Sequence, residues 1–383
     1  MTVGARDVVT LLERTPRVLA LGEPTHGEET LLDLRNEMFR QFVELGLYRT
    51  IAVESDCLAG LIVDDYVTAG VGELDDVVAR GFSHEWGAFA GNRELVRWMR
   101  GHNEGRAAAD QVRFAGFDGP LEISGAASPR QALTALHAYL KDRVEVPCSV
   151  HVLDQLIGAD ERWPDPAAMG DPAKSVGRTG DAVQLRLLAD DLAALLDEQR
   201  PRLIATSTAQ DWERARLYAR TATGLLRYHH WMADSSPGRM GRLLAVRDAM
   251  MAAHLRALAE REPILVYAHN SHLQRHQSSM RMGGQPVQWW SAGAHLSTEL
   301  GADYAFLATA VGTITHRGVD VPPPDTLEGV LYARPAQRCL AAVAELAGAA
   351  LVARESPWFG YAPLDPAYLG QADGVVFVKD AVS

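Results

Sequence analysis

The feature that most restricts the fold of this chain is a recurring three-part pattern: a short unbroken apolar run, a polar stop, then apolar residues at every third or fourth position. Its first copy opens with VLALG, Val18 to Gly22, followed by the turn-like EPTHG. An apolar run without alternation suits a strand buried on both faces of a parallel sheet, where helices cover both sides. The spacing of Leu31, Leu34, Met38, Phe42 and Leu45 then predicts a helix from Glu28 to Leu45, with Glu28 and Glu29 at the positive end of its dipole and Gly46 as its C-cap. Thr50 to Val53 reads as the next strand and stops at Glu54, completing a β-α-β unit with a right-handed crossover.

The pattern returns downstream. A helix from Arg93 to Asn103 precedes the strand Val112 to Phe117, which stops at Asp118; another from Gly241 to Glu260 precedes Ile264 to Ala268, which stops at His269 and Asn270. Ala305 to Val311 and Gly374 to Val378 complete a sheet of about six strands. The segment from Ser128 to Pro237 differs: it is helical in period, poor in strands and broken by a Pro, Gly and Asp-rich stretch from Trp163 to Gly180. The expected fold is α/β, a mostly parallel central sheet flanked by helices, with a helical insertion covering the C-terminal edge of the strands. Residues 1–127 and 238–383 would form the catalytic core, and 128–237 an insertion that shapes the substrate cleft. A chain of 383 residues accommodates both.

Charge and cysteine content remove several classes of function. A net charge of −12 opposes a phosphate-binding surface, so nucleic acid is not an expected partner. Cys57, Cys148 and Cys339 are few and scattered, forming neither a disulfide framework nor a zinc or redox motif. The first residues lack the apolar stretch of a secretory signal, and the longest apolar run, Leu340 to Ala353, contains Glu345 and is shorter than the roughly 18–20 residues that cross a bilayer. A cytoplasmic protein without a membrane partner is therefore expected, of an oligomeric state the sequence leaves open.

In open α/β sheets, ligands bind beyond the carboxyl ends of the strands. Glu23, Glu54, Asp118 and His269 each follow a strand directly, and His26 lies in the loop leaving the first. Their coincidence at one sheet edge carries more weight than any one of them, since loops are polar by default. Arg35 falls between Leu31, Met38 and Phe42 on the helical wheel, on the face that packs against the sheet. It is either a snorkelling side chain or a guanidinium held by Glu23 or Glu54 at the cleft floor, where it can steady an oxyanion. In AHNSH, His269 and His272 stand three apart; metal binding, acid–base work and structural hydrogen bonding all suit that spacing. His229 and His230 read as a solvated or interface pair in a helix, and Trp163, Trp212, Tyr228, Trp231, Trp289 and Trp290 as core or pocket aromatics. GxSxG, Walker and GxGxxG motifs are missing where they would count, which weakens a serine hydrolase and a nucleotide-binding enzyme alike.

Taken together, LGEPTHGEETLLDLR, IAVES, WMRGHN, FAGFDG, RDAMMAAHL and VYAHNSHL resemble, in order and spacing, the erythromycin esterase family, which includes erythromycin esterase-like and succinoglycan biosynthesis protein-like members. Glu23, His26, Arg35 and Glu54 match its G-E-x-T-H-G, the following Arg and the acid ending the next strand; Arg247-Asp248 and His269-Asn270-x-His272 match its later R-D and H-N-x-H motifs. The resemblance runs from about residue 17 to 275, with a weaker echo in DGVVFV. It implies hydrolysis of a macrolide lactone without a covalent serine intermediate; the expectation set beside it is a metal-independent enzyme with no cofactor. His26 would act as general base on water, Glu23 and Glu54 would orient and polarise it, and Arg35 with His269 or His272 would steady the tetrahedral oxyanion. Asp118, Arg247, Asp248, Asn270, Trp231 and Trp289 would contact substrate.

The sequence departs from the common family form at Pro24, where Ala is usual, and the insertion carries no family match. Catalytic residues therefore transfer more readily than the substrate. Three readings follow: an esterase acting on a macrolide or other bulky polyketide-like ester, with antibiotic resistance as its setting; a cyclase, dehydratase or isomerase of natural-product biosynthesis using the same base; and a binding protein for an apolar ligand, which the many buried ionisable groups disfavour.

Overall fold

The computed structural model describes residues 3–122, 125–282, 284–346 and 350–382. The apolar runs form a seven-stranded sheet: β1 (Val18–Glu23), β2 (Thr50–Asp56), β3 (Arg113–Asp118), β4 (Ile264–His269), β5 (Tyr304–Thr313), β6 (Arg338–Ala341) and β7 (Gly374–Asp380), in the order β6-β7-β5-β1-β4-β2-β3. β1 runs parallel to both β4 and β5, β4 to β2, and β5 to β7; β6 alone is recorded antiparallel, against β7. The fold is thus α/β with a mostly parallel sheet, as expected. All six residues of β1 are buried, which accounts for its unbroken apolar run. Beyond the expected set are β6, of only four residues, and two separate two-stranded antiparallel sheets, Gln277–Met282 against Gln285–Trp290 and Leu121–Glu122 against Gly125–Ala126.

Two helices matter for the site: α1 (Glu29–Glu44) and α2 (Ala90–Asn103). α1 buries Leu31, Leu34, Met38, Phe39 and Phe42, and with them Arg35 and Asn36. It ends where Gly46 and Leu47 return their N–H groups to the carbonyls of Val43 and Phe42. Glu29 does more than favour its own helix dipole. Its carboxylate accepts the first amides of α2, from Ala90 at 2.7 Å and Gly91 at 2.8 Å, and so fixes the start of α2 against α1.

The chain divides into two compact units. The first comprises Met1–Ser55, Ala59–Phe117 and Leu255–Ser383; the second comprises Asp56–Leu58 and Asp118–His254. In the second unit, Leu133, Leu136, Leu153, Leu185, Leu192, Trp212 and Leu226 form an apolar core among the helices Arg130–Lys141, Val150–Ile157, Gly180–Glu198 and Ala209–Met232. No helix among the described residues is long and apolar enough to cross a membrane.

Candidate active site

Strand register assembles the site. Glu23 pairs in register with His269 at the ends of β1 and β4, and β2 brings Glu54 to the other side of β4. Three neighbouring strands therefore bring Glu23, His269 and Glu54 to one edge of the first unit, although β2 runs on to Asp56, two residues past the stop read from the sequence. The β1 loop returns sharply at Gly27, whose φ of 80° favours glycine and where a Cβ would lie 2.7 Å from the Phe89 ring. That turn sets His26 over Glu23.

His26 Nδ1 lies 2.7 Å from Glu23 Oε1, and the other oxygen of Glu23 accepts the phenol of Tyr267 at 2.5 Å. Glu23 is 3% exposed, so it works as a desolvated anion with both oxygens engaged. The His26 side chain keeps 36% exposure, and its ring centre stands 4.7 Å from Trp86 and 5.3 Å from His269. Burial by itself lowers the pKa of His26, but the Glu54 charge and the Glu23 hydrogen bond outweigh it, and the result lies above the ordinary value. With Nδ1–H donated to Glu23, the neutral ring leaves Nε2 as its basic nitrogen.

His269 is driven the opposite way. Desolvation and then the neighbouring His26 lower its pKa to about 3. Its Nδ1 accepts the Ser271 amide at 3.2 Å as the cap of the short helix Asn270–Leu273, so the neutral ring carries its proton on Nε2; the ring also meets the Pro24 carbonyl. Glu54, 3% exposed, accepts the His269 amide at 2.8 Å and has His272 Nε2 at 3.4 Å from its other oxygen. An imidazole of raised pKa and one whose pKa is lowered to about 3 thus stand with ring centres 5.3 Å apart.

Arg35 differs from the expected carboxylate partnership. It is fully buried, and its recorded donors go to Asn36 Oδ1 at 3.0 and 2.8 Å, to Asn92 Oδ1 at 2.8 Å and to the Gly91 carbonyl at 3.4 Å. The guanidinium carbon lies 5.0 Å from the centre of the Tyr267 ring. Asn92 passes the connection on through Nδ2 to the Trp86 carbonyl at 2.9 Å, beneath His26. Arg35 therefore ties α1, the start of α2 and β4 into the floor of the site. Glu23, His26, Arg35, Trp86, Asn92 and Tyr267 line a small, tightly closed recess.

Tyr267, Trp86, Asn92 and Asn36 were not singled out from the sequence. Tyr267 had a readable signal: it stands two residues before His269 on a strand and so shares its face.

The remaining sequence-selected residues are placed as follows. Asn270 spans the backbone of β5, donating to the Thr309 carbonyl at 2.8 Å and accepting its amide at 3.2 Å. This close packing requires Gly22, where a Cβ would lie 2.0 Å from Asn270 Oδ1. Trp289 is buried, 6.4 Å from the His272 ring. Asp118, Arg247, Asp248 and Trp231 belong to the second unit. There, fully buried Asp118 accepts Arg247 Nε at 2.9 Å and Nη2 at 2.7 Å. Asp248 is also buried, and Trp231 has Arg242 4.7 Å from its ring centre. His229, expected on a solvated or interface face, is instead 1% exposed, bonded to the Ala127 carbonyl at 2.9 Å and set edge-on to Trp163. The Ala127 carbonyl takes the place of water at Nε2, while Nδ1 is buried without a hydrogen-bond partner among the described residues. Among the described residues, no group of three or more His, Cys, Asp and Glu side chains converges as a metal site.

Comparison with known proteins gives a concordant result. The chain is 25% identical over 269 residues to the type II erythromycin esterase of Escherichia coli, covering 68% of this chain and 61% of that protein. It thus spans about three fifths of the length of that relative. An erythromycin esterase, EreC, solved as a mutant in an open conformation, superposes with a TM-score of 0.71 at 18% identity, over 98% of this chain and 93% of the other. A Bacillus cereus protein superposes with a TM-score of 0.73 at 16% identity, over 100% and 93%. A succinoglycan biosynthesis protein does so with 0.67 at 14%, over 98% and 91%. The family model for erythromycin esterase matches residues 43–380, a span that holds Glu54, Tyr267, His269 and His272, while Glu23, His26 and Arg35 precede it. With most of its length matched, this chain belongs to the erythromycin esterase family.

Proposed function

We propose that this protein hydrolyses an ester or macrolactone of a bulky, polyketide-like substrate by direct attack of water activated by His26. Family membership supports an esterase-type hydrolase. The observation that carries the finer reading is the Glu23–His26 pair: a 2.7 Å contact to a desolvated carboxylate beside an imidazole of raised pKa.

In this reading Nε2 of His26 takes a proton from water as its oxygen attacks the substrate carbonyl. Glu23 keeps the ring in the Nδ1–H tautomer and stabilises the imidazolium that forms, while Tyr267 holds Glu23 in place. His269, kept neutral near neutrality by a pKa lowered to about 3, turns its Nε2–H from the Pro24 carbonyl to the developing oxyanion. Glu54 raises the basicity of His26 through its charge and holds the β4 end through the His269 amide. Arg35, buried and committed to Asn36 and Asn92, acts through Tyr267 and Trp86 as a positioning residue. His26 then returns the proton to the leaving alkoxide, which balances the step without a covalent intermediate. The substrate named for the relatives, erythromycin, is the first macrolide to try.

The test is turnover of erythromycin in water enriched in oxygen-18, read by mass. A gain of one labelled water, abolished in His26→Ala with ligand binding retained, is the expected result. A product of unchanged mass, or one that has lost water, would replace hydrolysis with isomerisation or elimination.

A further inference from the structure

His26 stands against an indole. Trp86 lines the recess together with His26, and the two ring centres lie 4.7 Å apart with their planes at 43°. That is inside the roughly 6 Å over which the quadrupole of an aromatic ring attracts a cation. The chain reaches this arrangement at a conformational cost. His84 and Glu85, the two residues before Trp86, have φ of 56° and 58°, left-handed backbone that side chains other than glycine rarely adopt. Such a pair persists only where its surroundings over-determine it, and it clusters at functional sites.

The surroundings here are specific. The Trp86 amide donates to the Ser83 carbonyl at 3.1 Å, and the Trp86 carbonyl accepts the Phe89 amide at 3.2 Å and Asn92 Nδ2 at 2.9 Å. At Gly87 a Cβ would lie 1.9 Å from the Val78 carbonyl oxygen, so the turn is seated directly on the helix Leu74–Gly81. The backbone on both sides of the indole is thereby fixed. The titratable groups around His26 are Glu23 from β1, Glu54 from β2, Tyr267 and His269 from β4, His272 from the short helix after it and Arg35 from α1. The turn of Trp86 itself carries Glu85 and His84, the latter with its ring centre 5.4 Å from the indole. Glu54 and Glu23 favour a charged His26, while burial and His272 oppose it. An aromatic face adds attraction without another buried charge.

We infer that Trp86 is a positioning residue that holds the His26 ring and stabilises the imidazolium formed when His26 takes a proton from water. The inference rests on the reading of His26 as the general base.

Two measurements test it. Trp86→Leu keeps an apolar side chain against His26 but removes the quadrupole, whereas Trp86→Phe keeps an aromatic face. In nitrogen-15 NMR titrations, His26 should gain its proton about 0.5–1.5 pH units lower in Trp86→Leu, with Trp86→Phe closer to the wild type. With half of that change felt in the transition state, kcat/KM for erythromycin falls about two- to fivefold in Trp86→Leu, through kcat. A His26 pKa that is unchanged or raised in Trp86→Leu overturns the inference, since a side chain that only shields the ring from water opposes its charge. The second measurement keeps the native shape: fluorinated tryptophan incorporated throughout should lower the His26 pKa in the wild type but not in Trp86→Phe, and equal values with and without fluorine overturn the inference even if Trp86→Leu does not fold. If His26→Ala still hydrolyses erythromycin, the general-base reading fails, and the titrations alone decide whether Trp86 stabilises the charged ring.

Discussion

Replacing Glu23 by Gln removes one charge from the site and almost no volume, which makes it the sharpest probe of how His26 becomes basic. Glu23 accepts from His26 Nδ1 at 2.7 Å and from Tyr267 at 2.5 Å, and at 3% exposure water screens it little. A hydrogen bond to a charged group is worth about 1.5–3 kcal/mol, which corresponds to roughly one to two pH units in the protonation of His26. A general base works in its neutral form. Activity of the native enzyme therefore falls as the pH drops through the raised pKa of His26, and in Glu23→Gln that fall moves to lower pH. If half the change in basicity is felt in the transition state, kcat/KM above the fall declines about three- to tenfold. The assay is a profile of kcat/KM from about pH 4 to about pH 9, with circular dichroism to show an intact fold. An acid limb that stays in place at full plateau activity would refute the coupling, and one displaced to higher pH would refute its sign.

Tyr267→Phe leaves Glu23 without its phenol donor and should reduce kcat/KM about tenfold, with KM little changed; wild-type kinetics would remove Tyr267 from the positioning network. Arg35→Met strands the side-chain carbonyls of Asn36 and Asn92 in the interior and should cost about 3–5 kcal/mol in chemical denaturation, and an unchanged midpoint would contradict its place in the floor. His229 has a pKa of about 4 when folded, because burial disfavours its charged form, against 6.5 unfolded. The unfolded chain thus binds the proton first, and stability present above about pH 6.5 declines toward pH 4 by about 3 kcal/mol from this residue alone. His229→Gln should flatten that slope, and an equally steep slope in the variant would be the contrary result. Asn270→Ala removes both bonds to Thr309 and should lower stability by about 1–3 kcal/mol, visible as a lower melting temperature, whereas a neutral effect would deny Asn270 its structural role.

What the sequence made legible was whatever depends on local periodicity. β1, β3 and β4 end at the residues where polarity first interrupts an apolar run, Glu23, Asp118 and His269, whereas β2 continues past its interruption at Glu54 to Asp56. Less legible was what depends on which elements meet. Arg35 lies on the packing face as its helical position requires, but its partners come from its own neighbour Asn36 and from Asn92, placed there because Glu29 caps α2. A wheel projection carries no such information. Trp86 lies beneath His26 only through that same junction. β6 escaped notice because four residues at a sheet edge are too short for a pattern, and His229 because its acceptor, the Ala127 carbonyl, is 102 positions away.

The account turns on two imidazoles whose ring centres are 5.3 Å apart and whose protonation has been driven in opposite directions. Nitrogen-15 NMR titration of histidine-labelled protein, with assignments from His26→Asn and His269→Asn, measures this directly. His26 should titrate above 6.5 with its proton on Nδ1, while His269 stays neutral on the Nε2–H tautomer down to about pH 3 or to unfolding. A His26 pKa below 6.5, or a His269 that gains its proton near neutrality, would contradict the division of labour between base and donor.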